Sequence, residues 1–325
     1  MRNVTLGLII GAALLVSGSL SLKATENKMK LWYDKPADEW MKSLPLGNGR
    51  LGVMIYGGIE TETLALNEST MWSGEYDEHQ QRPFGREKLN QVRKLFFENN
   101  LSEGNHVAGN MMAGSPHSVG THLPIGDLKI NFSYPQGEIS DYRHELDLHT
   151  AINTVSYKVG NTEYIRQCIA SNPDDVVAMH IKASRPKAIT MELELKLLRQ
   201  ANVVASGNQL IYTGNAEFEK HGKGGVHFEG RIAVQIKGGT IKAEGKKLYI
   251  EKATEVTLLS DVRTNFKNNT FSGYNYKIKC EKTIELASKK DFKTLKKKHI
   301  EDYSPLFSRA GLSFEHHAKI DHLPN

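Results

Sequence analysis

The chain has 325 residues, with 42 Lys and Arg against 37 Asp and Glu, a formal net charge of +5, and 39% hydrophobic residues. That composition excludes wholesale disorder. The charge is too small and too dispersed for a nucleic-acid surface, its longest basic run being Lys296-Lys297-Lys298. Two cysteines exclude a disulfide scaffold and a Cys-based zinc site. The length suits one large all-β domain or two smaller ones.

Arg2 opens the chain with a positive charge. Val4 to Val16 is then almost uninterrupted apolar sequence, and the small residues Ser17, Gly18, Ser19, Ser21 and Ala24 follow. This is the layout of a secretory signal peptide. The apolar run is shorter than the ~18–20 residues of a spanning helix, so cleavage after Ser21 or Ala24 is expected, with an uncleaved N-terminal anchor as the alternative. Without a cysteine here, no lipoprotein anchor is expected. Residues 1–24 therefore read as a leader, and the mature protein as periplasmic or extracellular, with no further membrane contact.

From there the chain is mixed and then mainly β. Leu51 to Tyr56, closed by Gly57-Gly58, reads as a strand and Thr63 to Asn67 as its hairpin partner. Glu87 to Glu98 reads as a helix on the stripe Leu89, Val92, Phe96. A second helix over Ser102 to Met112 takes Ser102 as its N-cap. Period-two alternation follows at Leu128 to Phe132 and Val155 to Val159, with Gly160-Asn161 as a turn. Strands continue at Thr162 to Ala170, Val176 to Ile181, Ile189 to Leu197, Ile232 to Ile236, Thr240 to Ala243, Lys247 to Ile250 and Glu255 to Leu259. Short strands at this spacing predict a large antiparallel β-sandwich. Lys220 to Gly225 is a glycine-bearing loop without the strand–loop–helix context of a phosphate loop. From Ala287 the stripe Phe292, Leu295, His299, Tyr303 predicts a helix that Pro305 ends or kinks. Cys168 and Cys280 both fall in strand-like runs, Tyr164 to Ala170 and Tyr274 to Cys280. Export would permit a disulfide between them; buried free thiols are the other reading.

Five segments carry a family likeness. They are Leu44 to Gly52 (LPLGNGRLG), Leu66 to Gly74 (LNESTMWSG), Leu123 to Leu128 (LPIGDL), Tyr142 to Leu148 (YRHELDL, with Val155-Ser156-Tyr157 after it), and Asp302 to Arg309 (DYSPLFSR). Together and in this order they resemble the N-terminal domain of glycoside hydrolase family 95, the α-L-fucosidases. The resemblance implies an N-terminal β-sandwich, a helical linker, an (α/α)6 barrel and a small C-terminal β-domain. It implies inverting cleavage of terminal α-linked L-fucose, often α1,2-linked to galactose, with α-L-galactosides preferred by some members. The family's catalytic carboxylates and asparagines lie in the barrel. The expected division is therefore sandwich over 25–286 and the start of a linker over 287–325, with the barrel beyond. No catalytic residue is carried over to this chain, and no metal or cofactor is expected. The expected partners are a fucosylated oligosaccharide or polysaccharide and the barrel of a full-length form.

Inverting hydrolysis needs two carboxyl groups roughly 6.5–9.5 Å apart. Glu68, Asp127, Glu145, Asp147, Asp174 and Asp175 are candidates, but their spacing pairs none of them, and turns, caps and ion pairs account for them. Gly47-Asn48-Gly49 reads as a tight turn with positive φ. Asp127 reads as turn chemistry, Arg143 with Glu145 or Asp147 as an ion pair, and Trp32 and Trp40 as core. His79, His106, His117 and His122 lack metal-ligand spacing. Asn67, Glu68 and Trp72 are the candidates for the edge of a substrate pocket, Trp72 through stacking on a sugar; packing in a core or domain interface is its other reading. A stand-alone carbohydrate-binding module and a non-functional truncated product are the alternative functions.

Overall fold

A computed structural model describes residues 29–74, 85–112, 120–199, 201–218, 224–266, 275–312 and 324. The strands are β1 (Lys30–Tyr33), β2 (Leu44–Gly47), β3 (Leu51–Ile55), β4 (Thr61–Glu68), β5 (Gly126–Phe132), β6 (Ile139–Asp147), β7 (Ile152–Val159) and β8 (Thr162–Ser171). They continue as β9 (Val176–Ala183), β10 (Ile189–Leu197), β11 (Ala201–Ser206), β12 (Gln209–Asn215), β13 (His227–Lys237), β14 (Thr240–Glu244), β15 (Lys247–Ala253) and β16 (Glu255–Thr264). The helices are α1 (Arg86–Phe97), α2 (Leu101–Met112), α3 (Tyr276–Ser288) and α4 (Phe292–Phe307).

The strands form two sheets. One has nine strands in the order β1-β6-β7-β8-β9-β16-β13-β12-β11, the other seven in the order β14-β15-β10-β5-β4-β3-β2. Neighbours run antiparallel, as where Val234 faces Leu258 between β13 and β16 and Leu193 faces Ile130 between β10 and β5. The chain is thus a mainly β, two-sheet antiparallel sandwich. Alternating apolar residues explain its core. Val155 and Tyr157 of β7, Met179 and Ile181 of β9, Leu128 and Ile130 of β5, and Leu193 of β10 are all buried between the sheets. The opposite faces of β8, β9, β13 and β16 also need cover. Ile169, Val176, Ala178, Ala233 and Leu259 face outward and are sealed by Ile284 and Ala287 of α3 and Phe292 and Leu295 of α4. That double burial is why Val176 to Met179 is a continuous apolar run.

The helix pair is well anchored. Asn275 Oδ1 accepts from the Ile278 amide at 3.1 Å and Asp291 Oδ1 from the Thr294 amide at 2.8 Å, capping α3 and α4. His299 Nε2 donates to the Thr150 carbonyl at 3.0 Å and the Tyr303 hydroxyl to that of Leu148 at 2.9 Å, so the α4 stripe lies against the β6–β7 turn. Pro305 neither ends nor breaks α4, which runs on to Phe307.

Several expectations need correction. Cys280 lies in α3, not in a strand. It sits on the outer side of the nine-stranded sheet, bonded to the Asp261 carbonyl at 3.5 Å, whereas Cys168 faces the core between the sheets. With a sheet between them the two thiols stay free and buried, and burial raises both above the usual thiol range. Strands β1, β2, β6, β11 and β12 are not among the strands expected from the sequence. Ser102 is inside the first turn of α2 and does not cap it. Trp40 is 53% exposed rather than core, and Trp32 is half-buried with the Arg143 guanidinium 4.3 Å over its ring. Asp127 belongs to β5, not to a turn. The glycine before it is needed for close approach: a Cβ on Gly126 would lie 2.3 Å from the Lys196 carbonyl of β10, and its φ is +144°. The turn at Gly47-Asn48-Gly49 forms as expected, with Gly49 at φ +91°.

The core also holds charge. Glu62 of β4 and Arg166 of β8 are fully buried, 3.4 Å apart. The guanidinium lies 5.3 Å from the Phe132 ring and 5.1 Å from that of Tyr157. Glu62 Oε1 accepts from the amides of Gly57 and Thr63 at 2.8 and 2.9 Å. Burial pushes the Glu62 carboxyl upward against the pull of Arg166. Nearby His144 is held down at about 4 by burial and the Arg166 charge, with Asn153 bonded to its Nε2 at 2.8 Å.

Candidate functional site

Strand β4 leads directly into the expected sugar-contacting segment. Side chains alternate across a strand, so Asn67 and Glu68 leave it on opposite faces. Asn67 stays half-buried, while Glu68 is enclosed, 2% exposed. Trp72 follows four residues on and is 47% exposed. Its indole N–H donates to the Ser69 carbonyl at 3.2 Å, and its ring meets His122 edge to face at 5.7 Å and 67°. His122 Nε2 in turn donates to the Glu68 carbonyl at 3.0 Å. The Trp72 carbonyl accepts from the Val226 amide at 3.0 Å, and bridges join Trp72 to His122 and Ser73 to Gly225. The ring is therefore presented from a backbone clamped on both sides, which limits the entropy lost when a ligand packs on it.

Behind this corner lies a charge network that motif reading did not assemble. Arg50, from the β2–β3 turn, donates through Nε to Asp175 Oδ1 at 3.0 Å, through one terminal nitrogen to Asp261 Oδ1 at 2.6 Å, and through the other to the Val262 carbonyl at 2.5 Å. Arg263 Nε donates to Asp261 Oδ2 at 2.8 Å and its terminal nitrogen to Asp175 Oδ2 at 2.5 Å. Glu68 joins from the other sheet: Oε1 lies 3.6 Å from Arg50, and Oε2 accepts from both the amide and hydroxyl of Thr70 at 2.7 Å. The Thr70 and Thr264 hydroxyls bond at 2.5 Å across the sheets. Burial raises the carboxyls of Glu68 and Asp261, opposed by the Thr70 hydrogen bonds at Glu68 and by Arg50 and Arg263 at Asp261. Burial also opposes the charge on Arg263, but Asp261 and Asp175 outweigh it.

The chemistry available here is structural. Two guanidiniums hold Asp175 and Asp261 and approach Glu68, so these oxygens are matched inward. The other sequence candidates are similarly engaged. Glu145 takes Lys30 at 2.6 Å and Arg143 at 2.8 Å. Asp147 Oδ1 accepts from the amides of His149 and Thr150. Asp127 faces Lys129 at 3.2 Å, and Asp174 pairs with Lys290. The structure brings Glu68 and Asp175 into one network and leaves Asp127, Glu145, Asp147 and Asp174 elsewhere. Asp261 and Arg263 were missed. Their signal was two charges spaced by two inside the apolar run of β16, which marks a buried pair rather than a solvent face. Among the described residues, no group of three or more His, Cys, Asp or Glu side chains is placed to hold a metal ion. His106 is exposed on α2 and bonded to Asn110 at 3.1 Å. His79, His117 and the His316-His317 pair lie outside the described residues, as do 220–223 of the glycine-bearing loop.

Fold and corner together define a large antiparallel sandwich domain with a clamped, exposed tryptophan and a sheet-bridging ion network. A family model, Glycosyl hydrolase family 65, N-terminal domain, matches residues 31–269. The chain belongs to that family. It is 32% identical over 314 residues to alpha-L-fucosidase 2 of Arabidopsis thaliana, covering 87% of this chain and 36% of the relative. It is 28% identical over 316 residues to "Probable alpha-fucosidase A" of Aspergillus niger, covering 87% of this chain and 37% of that protein. The chain thus spans little more than a third of the length of these relatives. A solved structure named for a kojibiose phosphorylase from the human microbiome superposes with a TM-score of 0.51 at 12% identity, over 86% of this chain and 37% of that one. That likeness concerns the fold alone.

Proposed function

We propose that the chain is the N-terminal β-domain of an exported α-L-fucosidase-type hydrolase of glycoside hydrolase family 95, acting on terminal α-L-fucosides of glycans. The observation that carries this is the 32% identity to an α-L-fucosidase along 87% of the chain, in a sequence that also holds the five ordered motifs. The general acid and base of the inverting reaction belong to the part of the enzyme beyond this domain. The sandwich supports that division, because its clustered carboxylates are neutralised by Arg50 and Arg263. In this reading residues 1–24 are a leader removed on export. Trp72 supplies an apolar platform at the margin of the substrate site, with Asn67 and Glu68 shaping the backbone beneath it.

The purified chain, incubated with an α1,2-fucosylated oligosaccharide, is expected to release no fucose. Release would overturn the division of labour and give the sandwich its own acid and base. The exposed Trp72 ring also favours a second reading, a carbohydrate-binding module in its own right. Titration calorimetry with the same oligosaccharide distinguishes the two. Heat that disappears in Trp72→Ala supports binding by the isolated domain, and no heat at millimolar ligand removes the binding-module reading.

A further inference from the structure

The lysine-rich α3–α4 turn takes no part in that reading. Lys289, Lys290, Lys293, Lys296, Lys297 and Lys298 fall within ten residues, with Asp291 the sole acid among them. Helix α3 ends where the Gln235 side chain donates to the Ser288 carbonyl at 2.6 Å, and α4 begins with Phe292 stacked on His180 at 4.9 Å and 12°. Beside this turn, the outer faces of β8, β9, β13 and β16 form with it an open groove of about 620 Å³.

The rim of the groove is cationic. Lys182 and Lys237 rise from the sheet, and Lys289, Lys290, Lys293 and Lys296 from the helix pair. Their carboxylates do not balance them. Lys182 and Lys237 share Glu255, at 3.8 and 3.6 Å. Glu285 takes Lys289 at 2.6 Å, Asp174 takes Lys290, and Asp291 is engaged as the cap of α4. Among the described residues, no carboxylate lies within ion-pairing distance of Lys293 or Lys296; Lys296 instead donates to Gln167 Oε1 at 3.0 Å. The floor is uncharged and hydrogen-bonding, made by Gln167, Gln235, Thr257 and His180. Burial lowers the His180 pKa, keeping its imidazole neutral, and its Nδ1 is bonded to the Thr257 hydroxyl at 2.9 Å.

We propose that this groove is an accessory binding site for an acidic sugar chain, its lysines meeting carboxylate or sulfate-ester groups and its floor meeting hydroxyls. Lysine ammonium groups are compact, strongly hydrated charges that suit anions presented in varied orientations on a flexible polymer. Nucleic acid fits less well, since single-strand binding needs open aromatic faces. Phe292 is only 7% exposed, with its ring against His180. Glu255 and Thr264 are the two ends of β16, so the groove lies roughly 30 Å from the Trp72 corner at ~3.3 Å per residue. The choice of a sugar as carrier rests on the glycoside-hydrolase reading; the anion preference rests on the lysines alone.

The test is affinity electrophoresis of the whole chain in gels containing dextran sulfate, polygalacturonate or neutral dextran, at low and high salt. Both anionic polymers are expected to retard the protein at low salt, and neutral dextran to leave it unretarded. The variant Lys237→Gln/Lys293→Gln/Lys296→Gln is expected to lose about tenfold in affinity, as three charge contacts at the protein surface imply. The control Lys158→Gln/Lys242→Gln/Lys246→Gln, outside the groove, is expected to keep it. Unchanged binding in the groove variant, or an equal loss in the control, overturns the proposal. Competition by inorganic sulfate as strong as that of a sulfated disaccharide assigns the groove to free anions and overturns its sugar part. No fucoside enters the assay, so failure of the fucosidase reading is scored separately. Thermal melts of both variants check that these surface changes leave the fold intact.

Discussion

Replacing Arg166 with Met leaves Glu62 facing an apolar neighbour inside the sandwich. Its Oε1 keeps the Gly57 and Thr63 amides, but Oε2 loses the guanidinium 3.4 Å away. A stranded buried charge of this kind costs ~3–5 kcal/mol. Protonation limits the penalty. Neutralising a carboxyl with an unfolded pKa of 4.5 at pH 7 costs about 1.36 kcal/mol for each of 2.5 pH units, or about 3.4 kcal/mol. At pH 5 the same ceiling falls below about 1 kcal/mol. Burial already holds the folded Glu62 pKa above its unfolded value, and losing Arg166 raises it further. The protonated carboxyl is therefore well tolerated below pH 4.5, and stability is lost as pH rises through the folded pKa. Urea unfolding followed by tryptophan fluorescence at pH 7 and pH 5 measures this. Arg166→Met should lose up to about 3 kcal/mol at pH 7 and much less at pH 5. Adding Glu62→Gln should restore most of the loss at pH 7 and flatten its pH dependence. Both variants share whatever happens at His144, so their difference isolates Glu62. An equal loss in single and double variants at both pH values would refute the argument and assign the effect to packing on Phe132 and Tyr157.

Three further outcomes follow from the same structure. Arg50→Met removes one of the two guanidiniums holding the fully buried Asp261, and should cost about 3 kcal/mol; an unchanged calorimetric melting temperature would count against the network as a sheet-bridging lock. Gly126→Ala combines a positive φ with a Cβ 2.3 Å from the Lys196 carbonyl, so it should destabilise by about 2 kcal/mol or more in a thermal melt; wild-type stability would show that β5 and β10 can move apart. His144 should titrate near pH 4 by NMR rather than near 6.5. Because the unfolded state takes up this proton first, the His144 contribution to stability is present above about 6.5 and lost as pH falls toward about 4; a normal imidazole titration would place that ring in solvent.

Strands with clean alternation between a buried and a wetter face, such as Ile152–Val159 and Ile189–Leu197, were readable because period two has few local competitors. Ala201–Ser206 was not, since as an edge strand it buries only Val203 and so carries no apolar alternation. Tyr276 to Cys280 misled for the opposite reason. Tyr, Ile and Cys alternate with lysines for five residues, and the helical spacing Cys280, Thr283, Ile284, Ala287 becomes visible only beyond them. Tertiary contact with β13 and β16 then settles the matter in favour of helix. The corner was half legible. Its motif named Asn67, Glu68 and Trp72, but the cations and carboxylates that enclose Glu68 come from distant positions. Arg50 meets Asp175 across 125 residues and Asp261 across 211, separations that leave no local spacing to read.

The strand order has a consequence for how such a chain is made. In the nine-stranded sheet β16 lies between β9 and β13, yet it is the last of the described strands in sequence. During synthesis from the N-terminus, β6 to β9 and β11 to β13 therefore exist as two separate patches until residue 264 is available. Each patch then presents an apolar unpaired border, Val176 to Met179 on one side and Ile232 to Val234 on the other. The seam that closes them spans long sequence separations, which makes assembly slow and exposes those borders for longest. A nascent chain of this design depends on being held apart from its neighbours until its final strand arrives.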